Sequence, residues 1–305
     1  MNPSLTRFAS LILTAALTLA VASTQAQQPL DDQKIAAAAG TKTTVKDGVV
    51  RIEWPRDDVP FTVDGMPLKP FAGLGSWAAF TAAPHGAMMM GDTVVFQDEV
   101  TPAMDAALAG GLEVTAIHNH FFYDSPKVFF MHIDGMGEAD KLAASVKSVW
   151  DAIKKVRSNR SAPGTDFGCQ TPQAGQIDAA AIDKLLGTQS QPKDGVVKIS
   201  IGRDGMMHEV KVGGAMGLTT WAAFSGSDKL AAMDGDFIMT AGEVQPVLRS
   251  LRKSGIHIVA LHNHMIGEQP AFYFLHFWAK GSTAELAKGI KAALDAQKTA
   301  TPAAH

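Results

Sequence analysis

The feature that most constrains how this chain can fold is that it repeats itself at long range. Lys46-Asp47-Gly48-Val49-Val50 recurs as Lys193-Asp194-Gly195-Val196-Val197, 147 residues on. Asp31, Ile35 and Gly40 match Asp178, Ile182 and Gly187 at the same offset. After a short gap the offset becomes 144, joining Trp77-Ala78-Ala79-Phe80 to Trp221-Ala222-Ala223-Phe224, Gly91-Asp92 to Gly235-Asp236, and Glu99-Val100 to Glu243-Val244. A solenoid unit is several times shorter than this period, so the pattern predicts a duplicated domain. The copies are expected over 27–157 and 177–297, joined by the Ser/Pro/Gly/Gln-rich stretch 158–176.

Periodicity within each copy predicts a short helix, several strands, a helix, two more strands and a last helix. Val50, Ile52 and Trp54 alternate with Arg51 and Glu53, as in a half-exposed strand, whereas Leu142, Val146, Val149, Trp150 and Ile153 fall on one helical face. Leu286, Ile290 and Leu294 repeat that face. The segments 112–120 and 128–133 are apolar at nearly every position, which predicts central strands buried on both faces. The expected class is α+β, each copy a helix-covered mixed or antiparallel sheet.

The N-terminus predicts export. Arg7 precedes an apolar run from Leu11 to Ala22, and Thr24-Gln25-Ala26 offers small residues for cleavage, so 1–26 reads as a signal peptide and the mature chain begins near Gln27. The run is too short for a membrane span of about 20 apolar residues. Location is therefore expected to be periplasmic or secreted, with no membrane span after cleavage. Losing Arg7 and no acid takes the formal charge of −3 to −4, and Lys154, Lys155, Arg157 and Arg160 read as a solvated helix end, so no nucleic-acid partner is expected. The partner class left open is a small molecule or an envelope component. Cys169 is the only cysteine, which excludes an internal disulfide.

The chemistry-bearing pattern is His118-Asn119-His120 with His132, repeated as His262-Asn263-His264 with His276. Between 112–134 and 256–278 only seven of 23 positions are identical, and four of the seven are these residues. His85, His208, His257 and His305 have no such counterpart. Residues two apart on a strand share a face, so His118 and His120 are neighbours. A tight turn pairing Tyr123 with Lys127 would set His132 opposite His118 and gather three imidazoles on one face. Such a trio is a ligand set for zinc, or alternatively copper, with a position left for water or substrate. Asp124 and Glu268, four residues beyond the second histidine, are the expected oxygen ligands or catalytic bases for hydrolysis by metal-bound water. A hydrogen-bonded structural cluster and a metal-free acid–base or ligand site remain alternatives.

Other polar repeats read as structural. Thr240-Ala241-Gly242-Glu243 is a capping box that starts a helix. Glu99 reads as a helix-start carboxylate, and Asp92 and Asp236 as turn residues at a strand entrance. Met89, matched by Met233, reads as core.

The run Gly111-Leu112-Glu113-Val114-Thr115-Ala116-Ile117-His118-Asn119-His120, with Pro126, Phe129 to His132 and the helix after it, resembles the LppY/LpqO family of bacterial exported proteins. The likeness covers both copies, from about Asp31 to Ala296. It implies an envelope location and little about activity. Several relatives look like lipoproteins, and this sequence lacks the lipid-accepting cysteine.

Overall fold

A computed structural model describes residues 29–168 and 170–300. The expected signal peptide with its cleavage site, Cys169 and His305 lie outside the described residues.

The first copy runs α1 (Asp32–Ala39), β1 (Thr43–Lys46), β2 (Val49–Pro55), β3 (Thr62–Val63), β4 (Met66–Pro67), β5 (Gly75–Ala83), β6 (Gly86–Phe96), α2 (Val100–Ala109), β7 (Glu113–His118), β8 (Asp124–Ser125), β9 (Val128–Gly137) and α3 (Ala139–Asn159). The second runs α4 (Ala179–Leu186), β10 (Gln191–Lys193), β11 (Val196–Gly202), β12 (Gly205–Met207), β13 (Val210–Val212), β14 (Thr219–Gly226), β15 (Ala231–Met239), α5 (Ala241–Lys253), β16 (His257–His262), β17 (Tyr273–Gly281) and α6 (Thr283–Thr299).

Local chemistry sets these boundaries. The Asp31 and Asp178 side chains accept the N–H groups of Lys34 and Ala181 at the starts of α1 and α4. Gly40 and Gly187 end those helices in the left-handed conformation that glycine adopts without a Cβ clash. The predicted capping box at α5 is formed by Thr240 and Glu243. Helix α3 buries Leu142, Val146, Val149, Trp150 and Ile153, each worth about 1.5–3 kcal/mol of apolar burial.

The two strand orders are β1-β2-β5-β6-β9-β7 and β10-β11-β14-β15-β17-β16, the same order twice, and every pairing is antiparallel. The chain is therefore two tandem copies of one α+β domain. The copies do not stand apart with separate cores. β7 pairs with β16 at Ile117↔Leu261, so the copies fuse into one twelve-stranded sheet. A continuous buried cluster draws on all six described helices and both halves. Alone, each copy would end in an edge strand with unpaired N–H and C=O groups, and fusion satisfies them.

The helices cover one face. Along β9, Met131 and Ile133 join the main core under them, while Val128 and Phe130 point the other way into a smaller cluster with Val59, Phe61, Leu74, Val94 and Phe96. Val212, Leu218, Ile238, Phe272 and Phe274 form its counterpart in the second copy. The central strands are thus buried on both faces only where these loop-borne clusters reach. Beside them, the face away from the helices carries the histidines. Met89 is in the core as expected, whereas Met88 and Met90 are exposed.

Candidate metal centre

A bulge in β7 decides where the histidines point. The register against β9 runs Val114↔Ile133, then skips Thr115 to Ala116↔His132, Ile117↔Met131 and His118↔Phe130. Val114 and Ile117 both face the helices as a result, and Ala116 and His118 share the other face with Phe130 and His132. β16 has the same bulge, with Ala260↔His276 and His262↔Phe274.

This register corrects the expected hairpin. Tyr123 and Lys127 do not close a tight turn, because Asp124–Ser125 is drawn away as β8 to pair with Thr62–Val63 in β3. His132 consequently lies opposite Ala116, two residues from the position expected. A slip of two preserves the face, whereas a slip of one would have reversed it.

Nε2 of His118 and Nε2 of His132 are 3.0 Å apart. The ring centroids of His118 lie 5.2 Å from His120 and 5.1 Å from His132. In the second copy the corresponding distances are 5.1 and 5.0 Å, and one ligand nitrogen from each of His262, His264 and His276 lies within 4.8 Å of the other two. Two nitrogens on a tetrahedral zinc with bonds of 2.0–2.1 Å are about 3.3 Å apart, so the first pair needs little adjustment.

The rings are held by their surroundings. His120 stacks on Phe130 at 3.3 Å between centroids, and His264 stacks on Phe274 at the same distance. Nδ1 of His118 and of His262 each lie 3.2 Å from the carbonyl oxygen of the following asparagine, and Nδ1 of His276 lies 3.3 Å from the Gly235 carbonyl. An Nδ1–H donating to such an oxygen leaves the Nε2 lone pair free for a metal. The asparagines turn away, donating from Nδ2 to the carbonyls of Phe121 and Met265 and so fixing the loops after each strand.

A fourth group joins each trio, and sequence reasoning missed it. Asp92 lies directly across from His132 in β6, and Asp236 directly across from His276 in β15. They are mid-strand residues on the histidine face and not the turn residues that the preceding glycines suggested. Gly235 is there for packing: a Cβ would sit 2.3 Å from the Trp221 carbonyl oxygen. Asp236 Oδ2 is 3.7 Å from Nε2 of His264. Asp92 is 8% exposed and Asp236 3%, and Oδ1 of each is buried without a hydrogen-bond partner. Burial pushes both carboxyls above their ordinary range; the neighbouring histidines pull the other way, joined at Asp236 by the backbone N–H groups of Leu275 and Phe237. Burial likewise lowers His120 and His264, favouring the neutral imidazole that binds metal; Asp92 partly opposes this at His120. The signal in the sequence was the repeat of Gly-Asp at the histidines' own offset.

Asp124 and Glu268 are buried in the loops and engaged there. The Asp124 carboxylate accepts from the Val128 N–H at 2.8 Å and from Lys127 at 2.8 Å, and Glu268 accepts from the Phe272 N–H at 2.9 Å. Each closes the loop that returns to the next strand. Glu99 is also structural: it accepts from the Phe96 N–H and holds Arg56 with both oxygens. Of the unmatched histidines, His85 is exposed in a hairpin, and His257 contacts Thr101 Oγ1 and stacks on Phe167.

Three imidazoles with a buried carboxylate beside them have the donor chemistry of a zinc-type site in both copies, and the ligand nitrogens of His262, His264 and His276 have the spacing as well. The exposed His120 and His264 leave each site accessible to water.

A comparison with curated proteins found no match. Among solved structures, a trimeric bacterial microcompartment shell protein, PduB, aligns over 83% of this chain and 89% of its own at 8% identity, with a TM-score of 0.22. The double-ringed trimeric shell protein MSM0271 from the RMM microcompartment aligns over 84% and 97% at 12% identity, with a TM-score of 0.19. A family model matches twice, over residues 33–152 and 180–296.

Proposed function

From the premise that the chain belongs to the family described as Domain of Unknown Function (DUF1259), carried in two tandem copies, we propose that it is an exported metalloprotein in which each copy binds one transition metal ion, zinc before copper. The observation that carries this reading is the buried, unpartnered Oδ1 of Asp92 and of Asp236 beside a histidine trio, found in both copies. A buried carboxylate oxygen without a partner costs about 1–3 kcal/mol or more, and a metal ion offsets it. Export rests on the N-terminal sequence and on the likeness to the LppY/LpqO exported proteins.

The chemistry that fits is hydrolysis. Bound zinc supplies a Lewis acid and lowers the pKa of water toward about 7. His118, His120 and His132, with their counterparts His262, His264 and His276, would hold the ion. Asp92 and Asp236, beside the histidines, are the groups that would take a proton at a carboxylate oxygen; Asp124 and Glu268 already accept backbone N–H groups. A second reading, capture of metal without turnover, is favoured by the exposure of His120 and His264.

Metal titration of the full mature chain tests the proposal. Changing His120→Ala and His264→Ala together is expected to abolish zinc uptake, while His85→Ala or His257→Ala leaves it intact. Ester or phosphoester turnover that disappears on chelation supports the hydrolase over capture. Uptake unaffected by the double change refutes the site.

A further inference from the structure

The two trios lie side by side on one sheet face, and the register fixes their spacing. Ile117 pairs with Leu261, and one step to either side of this antiparallel pair sets Ala116 across from His262 and His118 across from Ala260. Together with Ala116↔His132 and Ala260↔His276, this gives two cross-strand rows. One runs Asp92, His132, Ala116, His262, and the other Asp236, His276, Ala260, His118. In each row a single alanine methyl separates a histidine of one copy from a histidine of the other. The aspartates stand at the outer ends, so no carboxylate intrudes between the trios along either row. Two strand spacings of about 4.8 Å place the histidines of a row roughly 10 Å apart.

The alanines stand out in sequence too. Ala116 and Ala260 are among the few positions identical between 112–134 and 256–278, where most of the core residues around them differ. Both are half-buried on the open face, where a larger side chain would fill the gap.

We propose that the two sites act as one receptor for an elongated dianion, one acidic group on each metal and its apolar middle lying over Ala116 and Ala260. This rests on the metal reading above. Taking that same separation for the two ions, with bonds of about 2 Å at each end, sets the donor oxygens of the ligand roughly 6 Å apart, the reach of an extended dicarboxylate with a short alkyl chain. Joining two weak carboxylate contacts in one molecule turns the second into an intramolecular event.

The test is calorimetry on the zinc-loaded full chain with adipate, succinate and hexanoate. Adipate is expected to bind one per chain and roughly 100-fold more tightly than hexanoate, with succinate, too short to span, resembling hexanoate. Ala116→Trp is expected to keep both zinc ions and lose the advantage of adipate. With copper(II) in both sites, the dipolar coupling between the spins should report a separation of roughly 10 Å, a readout independent of that variant. A chain holding two zinc ions that binds adipate and hexanoate alike, or two copper ions without measurable coupling, overturns the shared receptor while leaving the metal sites standing. Failure to take up metal overturns both.

Discussion

In the first copy the start of α2 is held by a buried ionic network, whereas the matching start of α5 in the second copy is held by a half-open pair. Arg56 binds Glu99 with two hydrogen bonds, Asp58 with two more and the Val94 carbonyl with another, and Arg157 adds contacts to Glu99 and Asp98. Arg203 binds Glu243 with 28% of its side chain exposed, and Gln297 takes the place of the second arginine. The supports of the two copies have diverged, and the sites they carry have not. Both keep the aspartate, the three histidines and the phenylalanine under the second histidine. Fold stability is satisfied by many local solutions, while an ion of fixed bond length accepts few, so a kept site on changed supports points to chemistry at the site.

That contrast can be broken by mutation. The largest expected effect is from Glu99→Ala, which removes the buried carboxylate that Arg56 and Arg157 share and leaves them Asp58 and Asp98 as acidic partners; it should cost about 3–5 kcal/mol. Glu243→Ala leaves Arg203 able to reach water and should cost about 1.5–3 kcal/mol, the loss of the hydrogen bonds that Glu243 accepts from Arg203, Gln297 and the Thr240 N–H. Chemical denaturation of the full chain measures both, and equal costs would remove the distinction between buried and half-open supports.

Asp92→Asn and Asp236→Asn should act alike despite the different supports. Each is expected to weaken metal binding in its own copy about 10- to 100-fold without unfolding the chain, as loss of a group beside a metal usually does. Calorimetric metal titration reads this, and a large effect in only one copy would show that the sites have separate roles.

The smallest expected effect is the pH dependence that Glu243 gives the second copy's support. Burial raises the Glu243 carboxyl, but the hydrogen bond from Arg203 and the contacts with the Thr240 N–H and Gln297 outweigh it, leaving the group below its ordinary value of 4.5. A depressed folded-state pKa contributes stability that is present above the unfolded value and lost as pH falls through the folded one. Wild type should therefore lose more stability than Glu243→Gln on acidification below pH 4.5. Parallel pH curves for the two proteins would reject this assignment.

The sequence made the duplication and the histidine face legible, because a repeat is read by comparison and a two-residue period survives an even slip in register. It hid the fusion of the copies, since an edge strand with a helix-facing apolar side reads the same whether its neighbour is solvent or another copy. The pairing of Asp124–Ser125 with β3 was hidden as well, because two-residue strands leave no periodicity. Asp92 was misassigned for a related reason: glycine before an acid is turn chemistry locally, and only the sheet shows that Gly91 sits where Trp77 presses close. Asp124 and Glu268 were plausible by spacing from the histidines, but a carboxylate at that distance also suits a loop that must cap the N–H of its returning strand.

The most direct test of the account is the metal content of mature protein purified from its native host without an affinity tag, measured by elemental analysis together with His120→Ala and His264→Ala singly. The account predicts two transition metal ions per chain in wild type and one in each single variant, with zinc the principal element. Folded wild-type protein that carries no metal and takes up none at micromolar zinc or copper would contradict it, leaving the duplicated trios as hydrogen-bonded structural clusters.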